Sequence, residues 1–218
     1  MHKDDNNKIY GVLTGDIIES GSIQKQEDLT VPEMLTKVAN QAKEKFPQTI
    51  LYNISIFRGD SWQIVLQKPS QALRLALFIR AALISFSTDL RIDTRIGIGI
   101  GKVDYIPEKN LTAGNGEAFL LSGEALEEIG SNRFMHLRYF NTQKQAFLNI
   151  ILGLIDTIST NWSSKQALAV KGALQGLKQK EIAELWDPSI SQQTVTRHLR
   201  RAGWENLEQT IQFFEKTI

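Results

Sequence analysis

The order of short apolar runs in the first hundred residues constrains the fold of this chain most. β-rich runs near residues 9–14, 51–57, 62–66 and 91–103 alternate with two helix-periodic segments, which begin near residues 32 and 70. Only the residues RGDS separate the second run from the third, which predicts a hairpin. The order β-α-β-β-α-β predicts an α+β fold with a ferredoxin-like or palm antiparallel sheet, covered by helices on one face.

The pattern changes after this first unit. A further helix over 116–129 and a strand over 133–140 complete it, and an apolar stripe of helical period then predicts a connecting or packing helix. The stripe consists of Phe147, Ile150, Ile151, Leu154, Ile155 and Ile158. We therefore predict a palm domain of residues 1–141, a connecting helix of residues 142–159 and an all-α domain of residues 160–218.

The composition excludes several classes of protein. Apolar residues make up 42% and charged residues 22% of the 218 residues, which is typical of globular domains and excludes disordered, collagen-like and coiled-coil chains. No uncharged apolar run approaches the ~18 residues of a membrane span, and the charged N-terminus predicts no signal peptide. The absence of cysteine excludes disulfides and thiolate metal sites. These features predict a cytoplasmic protein without a membrane partner.

Two aspartates form the first candidate site. Asp16 ends the first predicted strand and Asp60 lies in the hairpin turn, so the predicted sheet brings both carboxylates to one edge. Two nearby carboxylates repel each other unless a cation lies between them, and their oxygens suit Mg²⁺ that carries substrate phosphates. The backbone from Ile17 could donate N–H groups to a phosphate, and Gly21 would allow close approach. The alternative is that both aspartates are ordinary turn residues.

Four segments carry a family resemblance. GVLTGDIIESG, FRGDSWQIVL, RIGIGIGKV and GEAFLLSGEAL resemble, in this order, motifs of the class III nucleotidyl cyclases and of GGDEF-type diguanylate cyclases, over about residues 9–129. The chain as a whole resembles the SatD family, which looks like such a cyclase-type domain followed by a helical segment. The resemblance implies that Asp16 and Asp60 bind the metal, with Gly59 before the second aspartate, and that the ligand is a nucleotide.

The chain also departs from the cyclase pattern. Leu120, which the helical period places inward, occupies the position of a cyclase asparagine, and Glu124 occupies that of a transition-state arginine. Neither residue can replace these polar and cationic groups, so we predict no enzymatic production of cyclic nucleotides. Arg58 and Lys102 are the nearest candidates for phosphate contacts, or else surface charges. The glycines of RIGIGIGKV are predicted to let a helix or a ligand lie flat on the sheet.

Residues 177–204 predict a helix-turn-helix. A short helix with Ile182 and Ala183 inside is broken at Asp187-Pro188, and a second helix follows Ser191, with Val195 and Leu199 on its buried side. The segment resembles region 4 of sigma factors. The residues predicted to contact DNA are Ser191, Gln192, Gln193, Thr194, Thr196, Arg197, Arg200 and Arg201.

The charge distribution favours double-stranded DNA as the partner. Residues 160–203 contain seven Lys or Arg against three acidic residues, whereas residues 1–159 contain 17 against 18. A three-helix unit can instead be a protein-docking module. One helix-turn-helix reads few base pairs, so we expect a homodimer. The final apolar stripe, Leu207, Ile211 and Phe214, either covers the helical domain or forms the dimer contact.

Three functions remain open from the sequence. The first is a regulator in which the palm senses a nucleotide or another phosphate ligand and the helix-turn-helix binds DNA. The second is a divalent-metal-dependent nucleotidyl cyclase or nucleotidyltransferase. The third is a palm that has lost its ligand and serves only in dimerisation. Leu120 and Glu124 disfavour the second function, and the intact aspartate pair disfavours the third.

Overall fold

The computed structural model describes residues 8–18, 20, 30–52, 54–86, 91–107, 113–131 and 133–218. The strands are β1 (Ile9–Ile17), β2 (Ser55–Phe57), β3 (Ser61–Leu66), β4 (Thr94–Lys102) and β5 (Met135–Tyr139). The helices are α1 (Val31–Lys45), α2 (Ala72–Ser85), α3 (Glu117–Glu127), α4 (Thr142–Ser159), α5 (Ser164–Leu174), α6 (Gln179–Ala183), α7 (Gln192–Arg201) and α8 (Trp204–Thr217). No helix within these ranges is long and apolar enough to cross a membrane.

The five strands form one mixed sheet in the order β2-β3-β1-β4-β5. The hairpin of β2 and β3 is present as predicted, and β1 pairs antiparallel with both β3 and β4. The sheet differs from a wholly antiparallel one because β5 pairs parallel with β4. This parallel pairing follows from the connection through α3, since the helix returns the chain to the end of the sheet at which β4 begins.

Helices cover both faces of the sheet, which differs from the one-sided packing that we predicted. Leu13 and Ile98 point into the core beneath α1 and α2, while Val12 and its neighbours point toward α3. The glycines of β4 make the second contact close, because a Cβ at Gly97 or at Gly99 would lie 2.2 Å from a carbonyl oxygen of α3. A helix therefore lies flat on this strand, as the alternating glycines indicated.

The C-terminal helices pack against α2, so that they share one core with the sheet. Helix α2 is buried along its whole length, from Ala72 to Ile84. Val170 of α5, Val195 of α7 and Ile211 of α8 belong to the same continuous apolar cluster as the sheet residues under α2. Helix α7 therefore packs in the same apolar core as the sheet.

Two predicted apolar stripes have different surroundings in the structure. Helix α4 buries Leu148, Leu152 and Ile155, whereas Ile150 and Leu154 of the predicted stripe are 65% and 63% exposed. Both faces of α4 are apolar, so that periodicity could not select the one that packs on β5. The stripe Leu207, Ile211 and Phe214 is buried within the chain, which fits the first of its two alternatives, a cover for the helical core.

Candidate functional site

Asp16 and Asp60 lie at the same end of the sheet. Asp16 is directly opposite Ser61 in the β1–β3 pairing, next to Asp60 at the end of the hairpin turn. The backbone N–H of Ile17 donates a hydrogen bond to the carbonyl oxygen of Asp60 over 3.1 Å. The two aspartates thus lie side by side because β1, which carries Asp16, pairs directly with β3, which follows Asp60.

The carboxylate of Asp16 forms an ion pair with a side chain of the same sheet, that of Arg95. Arg95, which is opposite Asp16 in the β1–β4 pairing, donates from Nε to Oδ1 over 2.9 Å and from Nη2 to Oδ2 over 2.5 Å. The hydrogen bond to Asp16 raises the pKa of the Arg95 guanidinium, so that it keeps its charge. The Arg95 side chain is still 42% exposed, and a ligand could therefore reach it.

Asp60 has only hydroxyl partners among the described residues. Ser20 Oγ donates to Oδ2 over 2.7 Å, and Ser61 Oγ donates to Oδ1 over 3.2 Å. Magnesium bound by both aspartates does not fit this arrangement, because the guanidinium on Asp16 would repel a second cation at the same oxygens. The described part of the chain also contains no group of three or more His, Asp or Glu residues that could hold a metal ion.

The structure brings together only some of the residues predicted to bind phosphate. Arg58 and Gly59 are exposed in the hairpin turn beside Asp60, with positive φ angles of 54° and 85°. The N–H of Ile17 is not free, because Asp60 accepts it. Lys102 pairs with Ile9 at the other end of the sheet, about 23 Å of strand from Arg95. Gly21 lies outside the described residues.

A chain of polar side chains continues from Asp16 along the face that α3 covers. Gln63 Nε2 donates to Thr14 Oγ1 over 3.0 Å, and the Thr14 hydroxyl lies 2.8 Å from that of Ser122, which donates to the carbonyl oxygen of Phe119. Because the Ser122 hydroxyl donates to Phe119, it accepts from Thr14, which accepts from Gln63 Nε2. Gln63 Oε1 is then left as a buried acceptor with no hydrogen-bond partner among the described residues. A buried acceptor of this kind needs a donor from water or a ligand.

Leu120 and Glu124, which the resemblance aligned with cyclase catalytic groups, both lie on α3. Leu120 is 64% exposed, so the prediction that it faces inward is wrong. Its position differs because α3 meets β4 through its small residues, Ala118 and Ser122. Glu124 lies 3.9 Å from Arg138 of β5, on the far side of β4 from β1.

A buried ion-pair network begins directly behind Asp16. Thr94 Oγ1 donates to the carbonyl oxygen of Asp16 over 2.6 Å, and the Thr94 N–H donates to Asp93 Oδ1 over 2.9 Å. Asp93 also accepts two hydrogen bonds from Arg80, at 3.0 and 2.9 Å, and one from Arg91 at 3.1 Å. Arg80 is fully buried, so its charge depends on these partners.

The same arginine extends the network to α4. Arg80 Nη1 donates to Asp156 Oδ1 over 3.1 Å and to Ser159 Oγ over 2.7 Å. The second oxygen of Asp156 accepts from the N–H groups of Phe134 and Met135. The network therefore joins α2, the start of β4, the start of β5 and the end of α4.

Two further hydrogen bonds connect this network to α7. Arg91 Nη1 donates to the carbonyl oxygen of Trp162 over 2.8 Å, and Nη2 donates to that of Ser159 over 3.1 Å. The buried indole of Trp162 donates to the carbonyl oxygen of Ala202 over 3.0 Å. Ala202 is the residue that ends α7. Contiguous polar contacts thus run from the strand of Asp16 to the C-terminal end of α7.

Helices α6 and α7 are consecutive helices joined by turns. Ser191 Oγ accepts the N–H of Thr194 at the N-terminus of α7, and Val195 and Leu199 are buried, as predicted. Helix α6 is shorter than the sequence indicated and ends at Ala183. Turns and bends follow over residues 184–188, and the N–H of Ile190 donates to the carbonyl oxygen of Ala183 over 3.3 Å, so the helix ends before Asp187-Pro188.

The residues predicted to contact DNA lie on the outer side of α7 with one partial exception. Ser191, Gln192, Gln193, Thr196, Arg197, Arg200 and Arg201 are exposed, and Thr194 is half-buried. Thr196 Oγ1 contacts Gln179 Oε1 at 3.0 Å and so ties α7 to α6. Arg197 Nη2 donates to Thr194 Oγ1 over 3.1 Å.

His198 lies beside this surface and stacks on Trp186, with the ring centroids 5.8 Å apart. Burial lowers the pKa of His198, and the nearby charges of Lys165, Arg197 and Arg201 lower it further. The imidazole is therefore neutral at pH 7. Its position in the stack makes it a packing residue between the turn and α7.

The comparison with protein families covers nearly all of these elements. The family model of the SatD family matches residues 10–206, from β1 to the first turn of α8. The chain belongs to the SatD family. No curated protein matches it.

Three candidate functional residues of this SatD family chain were not predicted from its sequence: Arg95, Gln63 and Trp162. Arg95 could have been found, because an antiparallel pairing of the first and last palm strands places it opposite Asp16. Gln63 follows the hairpin by two residues and points to the same face as Asp16 and Thr14. Trp162 carries no local signal, since its hydrogen bond to Ala202 depends on how the SatD helices pack.

Proposed function

We propose that this SatD family chain is a DNA-binding regulator. In this proposal α7 enters the major groove of double-stranded DNA, and the sheet domain senses a nucleotide or another phosphate ligand. The observation that carries it is the outer surface of α7, where glutamines at the capped N-terminus precede three exposed arginines. Arg197, Arg200 and Arg201 form no ion pair with any part of the chain that the structure describes, which leaves their charges for phosphates.

The proposal assigns a palm to the sheet and a helix-turn-helix to the C-terminal helices. The order of β1 to β4 and their antiparallel pairing support the palm, with Asp16 and Asp60 at one end. The capped α7, the α6 helix across it and the turn between them support the helix-turn-helix.

Arg95 is the group that we assign to the ligand. Its side chain is 42% exposed and, among the described residues, pairs only with Asp16, and a phosphate would offer it the same bidentate geometry as a carboxylate. Exchange of Arg95 from Asp16 to a phosphate would leave Asp16 with a free charge beside Asp60 and so change the network behind it. Gln63 Oε1, an acceptor with no partner in the described part of the chain, would accept from a hydroxyl or amino group of the same ligand.

The polar contacts from Thr94 to Trp162 supply a physical route between the two surfaces. Thr94 contacts the backbone carbonyl oxygen of Asp16, so a shift of this backbone would act on Asp93 and, through Arg91 and Trp162, on the end of α7. Such a route supports a regulator more than two independent binding units, because a ligand must favour one arrangement of α7 over another.

A thermal-shift panel with nucleotides, with and without Mg²⁺, tests the sensor. We expect a nucleotide-specific rise in Tm for the full chain and its loss in Arg95→Met, whereas Lys102→Met at the other end of the sheet should keep it. No rise with any nucleotide or with inorganic phosphate would contradict the sensing half of the proposal.

Selection of duplexes from genomic fragments tests the output. We expect enrichment of defined sequences, and Gln192→Ala or Gln193→Ala should change which sequences are enriched, because contacts to base edges carry specificity. Enrichment that these variants leave unchanged would contradict base recognition by the start of α7.

A further inference from the structure

Helices α4 and α8 lie antiparallel with an open apolar groove between them. Lys144 Nζ donates to the carbonyl oxygen of Thr217 at one end, and the rings of Phe147 and Phe213 meet with centroids 5.8 Å apart. At the other end Ile158 lies against Gly203. The groove measures about 410 Å³, and no charged side chain lines it.

The groove continues into an exposed apolar ridge on α4. Phe147, Ile150, Leu154 and Phe213 are 52%, 65%, 63% and 45% exposed. Together with the half-buried Ile151 and Ile158, we call these residues the α4–α8 face. A chain with a buried core of its own gains nothing from such a surface in water, so that a contiguous apolar face indicates a partner.

We infer that the α4–α8 face is the interface of a homodimer, and that it binds the same face of a second copy. A two-fold interface requires one patch to contain both a projection and a recess that fit each other. The α4–α8 face has both, because Ile150 and Leu154 form a ridge next to the groove between Leu154 and Phe213. This inference goes beyond the proposed function, since it requires neither DNA nor a phosphate ligand.

The size of the face fits a stable dimer. The exposed parts of its four most exposed side chains amount to roughly 400 Å² of apolar surface. A standard interface buries about 800 Å² on each partner, with slightly more than half of that area apolar. The face therefore supplies most of the apolar core of one such interface, and the polar edges of α4 and α8 would supply its rim.

Other occupants fit the face less well. A strongly charged partner finds no counter-charge in the lining. The stretches of sequence outside the described ranges are polar, and residues 21–29, the longest of them, contain only Ile23 and Leu29 as large apolar residues. None of these stretches offers an apolar stripe of the length of the groove, whereas a second copy does.

Light scattering on the full chain tests the inference. The wild type should have twice the 24.6 kDa mass of one chain at micromolar concentration. Leu154→Glu should be monomeric, because a buried, unpaired charge opposes association. Leu120→Glu is the matched control, since Leu120 is 64% exposed on α3, and this variant should remain dimeric. A monomeric wild type, a dimeric Leu154→Glu or a monomeric Leu120→Glu would each overturn the assignment.

Cross-linking provides a second readout that does not depend on a charge in the helix. The chain has no cysteine, so a single introduced thiol reports one position. Ile150→Cys should form covalent dimers with a short bismaleimide, and Leu120→Cys should not. Equal cross-linking of both variants, or of neither, would contradict the α4–α8 face even where Leu154→Glu fails to fold.

Discussion

Trp162 donates its indole N–H to the carbonyl oxygen of Ala202, across 40 residues of sequence. The bond ties the residue between α4 and α5 to the last turn of α7. Trp162 is 3% exposed and its own carbonyl oxygen accepts from Arg91, so one residue connects the buried ion pairs with the helix that we assign to DNA.

The substitution Trp162→Phe should loosen α7. It keeps an aromatic ring but removes the hydrogen bond and leaves the carbonyl oxygen of Ala202 without this donor, at a cost of about 1–3 kcal/mol. Hydrogen exchange should be faster at the amides of α7 than in the wild type. Trp204→Phe is the control, because the indole N–H of Trp204 has no hydrogen bond to any residue that the structure describes. Equal protection of α7 in both variants would contradict the claim that the Trp162 hydrogen bond holds α7 in place.

The buried guanidinium of Arg80 should dominate stability. Arg80→Met leaves Asp93 and Asp156 buried without their cation, which we expect to lower the free energy of unfolding by about 3–5 kcal/mol. Arg74→Met on the same helix removes a pair with Glu215 that is 20% exposed, and should cost about 1 kcal/mol or less. Urea unfolding of both variants measures the difference, and similar losses would contradict the buried network.

Substitution by alanine should change stability in opposite directions at Gly99 of β4 and at Gly123 of α3. A Cβ at Gly99 would lie 2.2 Å from the carbonyl oxygen of Ala118, where backbone cannot yield, so Gly99→Ala should destabilise the chain by about 3 kcal/mol or more. Gly123 has open space around it within α3, so Gly123→Ala should stabilise by up to about 1 kcal/mol. Thermal unfolding checks both signs.

His198 should make the chain less stable in acid. Burial, with Lys165, Arg197 and Arg201, lowers the pKa of His198 in the folded state. The unfolded chain therefore binds a proton near pH 6.5 that the folded chain resists, and stability falls as the pH falls through this range. His198→Gln should flatten the decline of Tm between pH 8 and pH 5.5. His136, whose pKa burial also lowers, stays in both proteins, so only the difference between them is assigned to His198.

The sequence predicted the elements that local patterns encode. The hairpin at Gly59, the cap at Ser191 and the buried Val195 and Leu199 follow from turn chemistry, capping and helical period, and the structure has them. The alternating glycines also identified a close contact, which α3 makes.

The features that the sequence did not predict depend on contacts between elements that are distant in sequence. The outward face of α4 could not be predicted, because both of its faces are apolar and only β5 selects between them. The neutralisation of Asp16 by Arg95 requires the register of β1 on β4. Charge counts along the chain do not reveal it.

The salt dependence of DNA binding by the full chain tests whether α7 binds DNA. Anisotropy titrations of a labelled mixed-sequence duplex should show log K falling with log salt concentration, as phosphate contacts require. In the variant with Arg197, Arg200 and Arg201 all changed to Ala, binding should weaken and the slope should flatten by about two to three units. The control is the double variant Lys68→Ala and Lys102→Ala. These lysines lie at the end of the sheet away from Asp16, so the slope of log K against log salt concentration should stay unchanged. If the wild type binds no better than the triple variant at low salt, α7 is a protein-docking surface and the chain is not a DNA-binding regulator.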